Sequence, residues 1–247
     1  MTFFDYAQAP YPIREDIAPA YRAYWERLAQ PGSWWTGAER VAIAQESRNA
    51  LTCRLCAARK VALSPEAVTG KHDCGDGLPE VAVDAAHRVV TDQARITRKY
   101  VEGNVTAGLS KEAYVELVGV VVAVFSIDEF HRALGLDLEE LPAPEPGEIS
   151  RYRPPRLTED MGFVPTVPVD GAVGEESDLW PGGRTANVIR ALSLVPDALR
   201  EYRGIFSVQY LPLGGMRNLG RLEGRAIDRM QIELIAGRVS AVNECFY

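Results

Sequence analysis

Eight prolines fall between residues 141 and 187, at Pro142, Pro144, Pro146, Pro154, Pro155, Pro165, Pro168 and Pro181. Proline inside a helix removes an i→i−4 hydrogen bond and clashes with the preceding turn. In a sheet interior it removes a ladder bond. The segment is therefore neither, and it divides the chain. We read it as a Pro-rich linker, residues 141–187, crossing the surface between a helical first unit, residues 1–140, and a helical second part, residues 188–247.

On both sides of that segment apolar residues recur at helical spacing. Ile17, Tyr21, Tyr24, Trp25 and Leu28 share a face, and Gln30-Pro31-Gly32-Ser33 stops the run. Thr36 reads as the N-cap of a helix carrying Val41, Ile43, Ala44, Ser47 and Ala50, and Thr52 as the cap of another from Cys53 to about Leu63. Ser64-Pro65-Glu66 opens a short helix, residues 70–79 are a loop, and a long helix spans about Glu80–Glu102. Ser110 starts a helix over about 111–133 that Gly135 ends. Later helices are expected at about Val188–Leu192, Pro196–Gln209 and Leu222–Val242. No segment alternates as a strand does, so the expected fold is all-α.

The net charge of −7 argues against a nucleic-acid partner. No run of 18 apolar residues occurs and no signal peptide is visible, so a membrane partner is not expected. Four cysteines among 247 residues are too few for a disulfide scaffold. They point to a reducing, cytoplasmic setting with redox or metal chemistry.

Cys53-Arg54-Leu55-Cys56 sits where a helix begins. Free amide N–H groups and the helix dipole favour a thiolate there. Lys60, one turn after Cys56, would add a cation, and Glu46, seven residues before Cys53, is a candidate proton relay. Cys56 is the expected nucleophile and Cys53 its resolver. A competing arrangement is a zinc tetrad, Cys-x2-Cys-x15-His-x-Cys, formed by Cys53, Cys56, His72 and Cys74. His87, near Asp84 and Asp92, reads as a satisfied or surface histidine, and His131 as a helix C-terminal cap. At the other end of the chain Cys245 follows Glu233 by twelve residues, close enough for the carboxylate to fold back beside the thiol.

The run from Arg229 to Tyr247, Arg-x-x-x-Glu-Leu-Ile-Ala-x-x-Val-Ser-Ala-x-Asn-x-Cys-x-Tyr, resembles the core motif of the AhpD-like alkylhydroperoxidase and carboxymuconolactone decarboxylase superfamily. Glu39-Arg40-Val41-Ala42-Ile43-Ala44, the Cys53/Cys56 pair and the Phe130–Gly135 helix end look like a more divergent copy. The resemblance implies an all-helical homo-oligomer of two tandem units. It implies a thiol peroxidase or disulfide reductase with no cofactor and no resident metal, taking a hydroperoxide substrate and an external dithiol reductant. The second cysteine attacks the peroxide, the first resolves it, and Glu and His relay protons. Glu233 matches the relay glutamate and Cys245 the first cysteine. In the first unit Val41 stands where the family has the glutamate, and Lys60 where it has the histidine. The motif's second cysteine would occupy position 248, one past Tyr247. The expectation is a second site cut short, at a fragment boundary or a selenocysteine codon read as a stop. Without peroxidase activity the chain would be a scaffold or binding protein of the same fold.

Overall fold

The computed structural model describes residues 3–211, 224–243 and 245. The expected helix start at Leu222, and Glu244, Phe246 and Tyr247 of the terminal motif, lie outside the described residues. Among the described residues all regular elements are helical, and the β contact is a single bridge between Thr158 and Thr166. The all-α expectation holds. The α-helices are α1 (Ile17–Ala29), α2 (Gly37–Asn49), α3 (Arg54–Val61), α4 (Glu80–Thr91), α5 (Arg98–Thr106), α6 (Lys111–Leu134), α7 (Asn187–Arg190), α8 (Pro196–Gln209) and α9 (Arg229–Val242).

Local chemistry explains the boundaries. Thr36 accepts a bond from the Glu39 amide while the Glu39 carboxylate accepts one from the Thr36 amide, a reciprocal cap that starts α2. Ser110 accepts from the Ala113 amide to start α6, and Gly135, at φ 69°, supplies the left-handed residue that ends it. The expected helix over 80–102 is instead two. Asp92 leaves helical geometry (φ −151°, ψ 38°), and the Thr97 side chain caps a fresh start by accepting from the Tyr100 amide. The backbone turn at Asp92 and the Thr97 cap outweigh the continuous apolar periodicity. At α3 the N-cap is Cys53, because Ala50–Thr52 forms a 3-10 turn and Thr52 lies within it.

α6 is apolar on almost every face and becomes the central helix. α2, α4 and α8 pack around it, and α1 packs against α2 and α8. Tyr21, Trp25, Leu28, Ile43, Leu117, Val124 and Ile127 form its core. Each such side chain contributes about 1.5–3 kcal/mol by leaving water. Gly119 lets α6 approach α8: a Cβ there would stand 3.1 Å from the Ala198 Cβ. The proline-rich segment is irregular, as expected, yet it packs. Its Val167, Leu179 and Trp180 are buried with Val115 of α6 and Leu194, Val195 and Leu199 at α8. α8 in turn places Ile205 in the core around α6.

A buried charge cluster fastens three helices. Arg40 of α2, 1% exposed, donates to Glu116 of α6 (3.2 Å) and to Glu201 of α8 (2.7 Å). Glu116 also accepts from the Trp34 amide at 2.7 Å. Arg40→Met leaves Glu116 in the interior without its cation, while Glu201 keeps its pair with Arg27 at 2.9 Å, and the loss costs about 3–5 kcal/mol. Urea unfolding of the variant should show that loss. An unchanged midpoint would mean that the cluster carries no net stability.

Candidate functional site

Three elements, α2, α3 and the 62–79 loop, converge on α4. Cys53 caps α3 and Cys56 lies in its first turn, both buried. α2 supplies Glu46, and α4 supplies Asp84 and His87 three residues apart on one face. The 62–79 loop supplies His72. Asp73 holds that loop against the start of α3: its carboxylate accepts from the Arg54 amide at 2.8 Å, and its own amide donates to Cys53 Sγ at 3.4 Å. A salt bridge to the Arg54 side chain adds a second anchor. The negative charge sits where the dipole of α3 favours it.

These contacts give each imidazole two assigned sides. His87, fully buried, has Nε2 2.8 Å from Glu46 Oε2 and Nδ1 3.4 Å from Cys56 Sγ. His72 has Nε2 3.0 Å from Asp84 Oδ1 and Nδ1 3.5 Å from both Cys53 Sγ and Cys56 Sγ. A carboxylate only accepts, so in each ring Nε2 carries a proton and Nδ1 faces sulfur. The carboxylates are themselves held. Glu46 accepts from the Gly75 amide (2.8 Å) and Asn49 (2.9 Å), and Asp84 from Arg59 (2.7 Å) and the Tyr100 hydroxyl (2.7 Å).

Protonation follows from this wiring. Burial raises the Cys56 thiol, but the bonds from His72 and His87 outweigh it and bring the pKa to about 6. Burial likewise raises Cys53, and the Cys56 and Asp73 amides and His72 reverse it, leaving a net lowering. For the histidines burial pulls downward. Asp84 and the two sulfurs carry His72 up to about 10, and Cys56 and Glu46 carry His87 up to about 9. Burial pushes both carboxylates up, and their donors more than reverse it. The arrangement stores thiolate facing imidazolium.

Of the residues expected from the sequence, the fold brings together Cys53, Cys56 and Glu46. Lys60 is exposed, at the rim of a cavity of about 470 Å³ lined by Cys56, Leu51, Thr91, Asp92 and Val242 among others. The basic side chains that touch the sulfurs are the two histidines. Cys74 is exposed, and the fourth donor beside Cys53, Cys56 and His72 is His87. His87 was expected to be a bystander. The available signal was its i,i+3 spacing from Asp84, which puts both on the face of α4 that meets α3. His131, buried, bonds through Nδ1 to the Asp137 carbonyl and through Nε2 to the Tyr6 hydroxyl. That is a helix-end role, as expected. Glu233 is on the surface of α9, bonded to the Tyr210 hydroxyl and to Arg229, and Cys245 is exposed.

No protein-family model, curated protein or solved structure matches this chain.

If Asp73 anchors the His72 loop, Asp73→Ala should leave helical content unchanged and speed proteolytic cleavage within residues 62–79. An unchanged cleavage rate would mean that other contacts hold the loop.

Proposed function

We propose that the Cys53/Cys56 pair is a redox-active dithiol that reduces hydroperoxides and is regenerated by an external dithiol. The observation that carries this reading is the continuous path Glu46–His87–Cys56, a carboxylate holding an imidazole whose other nitrogen meets the thiol. Such a path both ionises the sulfur and returns its proton where it is needed. It gives Glu46, and a histidine from another helix, the roles that the AhpD-like resemblance implies for a glutamate and a histidine, although Val41 and Lys60 occupy the family's positions.

The Cys56 thiolate attacks the distal oxygen of the peroxide, reached through the cavity at the Lys60 rim. The O–O bond breaks, and His87 gives its proton to the departing alkoxide, which leaves as the alcohol. Cys56 is then a sulfenic acid. The Cys53 sulfur attacks Cys56 sulfur, a disulfide forms, and hydroxide leaves as water with a proton from His72. Two electrons pass from the two thiols to the peroxide, and an outside dithiol restores them by exchange.

Other features fit this reading. All four cysteines are free, which suits a reducing compartment such as the cytoplasm. Among the described residues no helix is long and apolar enough to cross a membrane. Met230, Leu234, Ile235, Val239 and Val242 on α9 are exposed, which supports a homo-oligomer. Glu233 and Cys245 belong to the expected second site, and the reading assigns turnover to the first.

Peroxide consumption with dithiothreitol, in chelating buffer, tests this directly. Cys56→Ser should fall to background, and Glu46→Gln should lose about 100-fold or more, the usual weight of a general acid–base group. Equal rates for the intact chain and Cys56→Ser would refute a peroxidase at this site.

A further inference from the structure

We propose that Cys53, Cys56, His72 and His87 form a site for one tetrahedrally coordinated divalent metal, with Zn²⁺ the ion its donor chemistry suits. The four donor atoms all lie within 4.8 Å of one another. Zn–S near 2.3 Å and Zn–N near 2.0–2.1 Å give a tetrahedron whose S···N edges are about 3.5 Å. Three of the four Nδ1···Sγ separations, Cys53–His72, Cys56–His72 and Cys56–His87, are 3.5, 3.5 and 3.4 Å. Three of the four sulfur–nitrogen edges therefore already stand at the spacing that an ion at their centre requires.

Three further features fit a metal rather than a chance meeting of polar groups. The spacing Cys-x2-Cys-x15-His-x14-His draws one pair of ligands from a helix start and the others from a loop and a second helix. Each histidine turns Nδ1 inward and ties Nε2 to a carboxylate, Asp84 or Glu46, an arrangement that fixes ring orientation and increases ligand basicity. Two thiolates and two neutral imidazoles balance the charge of a divalent cation. Soft sulfur with imidazole favours zinc over magnesium or calcium. With four protein ligands the coordination shell is closed, as in structural sites.

The site stands on this geometry alone. Its consequence rests on the redox reading above: a bound metal holds both sulfurs, so loading and thiol chemistry exclude each other at Cys56. Zinc availability would then set how much of the protein is a competent dithiol.

The test uses the full-length chain, stripped with chelator under reducing conditions and titrated with Co²⁺ alone, then with Zn²⁺ in competition. One Co²⁺ per chain, with the intense visible bands of tetrahedral cobalt and a thiolate-to-cobalt charge-transfer band, is the expected result, and Zn²⁺ should displace it. Cys53→Ser and His87→Ala should abolish the spectrum, and Cys74→Ser should leave it intact. Asp84→Asn keeps all four ligands and should weaken binding about 10–100-fold, with circular dichroism confirming the fold. Weak octahedral cobalt bands, no binding, or stoichiometric binding that survives loss of both histidines would each overturn the site. No peroxide enters this titration. A chain that binds cobalt without consuming peroxide loses only the redox reading, and one that consumes peroxide without binding cobalt loses only the metal site.

Discussion

A carboxylate inside a helical bundle must find donors, because the water it leaves behind is not replaced by anything else. Glu46, 3% exposed, finds His87, the Gly75 amide and Asn49. That one requirement joins α2 to α4, pins the 62–79 loop and fixes which nitrogen of His87 carries a proton. Nδ1 of His87 is left facing Cys56, and Asp84 imposes the same orientation on His72 from the opposite side. The chemistry of the sulfurs follows from where one buried and one half-buried carboxylate stand.

The same wiring serves two kinds of occupant. With protons in the cluster, the site is thiolate against imidazolium, and a path exists to move a proton on and off sulfur. A divalent ion in place of those protons would find four donors within 4.8 Å of one another. Buried polar networks of this kind are costly unless every member is satisfied. Arg59 and Tyr100 behind Asp84, and Asn49 and Gly75 behind Glu46, supply that satisfaction. Both carboxylates are thus held by several donors each, which favours orientation of reacting groups and ligand geometry alike.

The helical class and most element positions were legible because local chemistry decides them. Ser110 and Gly135 bracket α6 within a residue, and the Thr36 cap starts α2 as read. The break between α4 and α5 was not read from the apolar pattern, because that periodicity runs on through Asp92 while the backbone does not. The proline-rich segment showed only what it cannot form. That Leu179 and Trp180 bury themselves against α6 and α8 depends on contacts remote in sequence. In the site, the Cys-x-x-Cys pair at a helix start is a local signal, and Glu46 followed from its distance upstream. His87 did not, because its place depends on how α4 packs against α2 and α3. The cation expected from Lys60 is supplied instead by imidazoles, since a lysine at that turn of α3 points to solvent.

The dependence of the Cys56 thiolate on Glu46 is the centre of this account, and the ultraviolet absorbance of thiolate during pH titration of the metal-free chain measures it. In the intact protein Cys56 should titrate near its value of about 6, where burial alone would have raised it and the two histidines bring it down. Glu46→Gln removes a charge that helps keep His87 protonated, the thiolate loses one of its two imidazolium partners, and the transition should move up from about 6 toward the ordinary cysteine range near ~8.5. A Cys56 that titrates in that ordinary range from the start, or one that stays near 6 in the Glu46→Gln variant, would contradict the account.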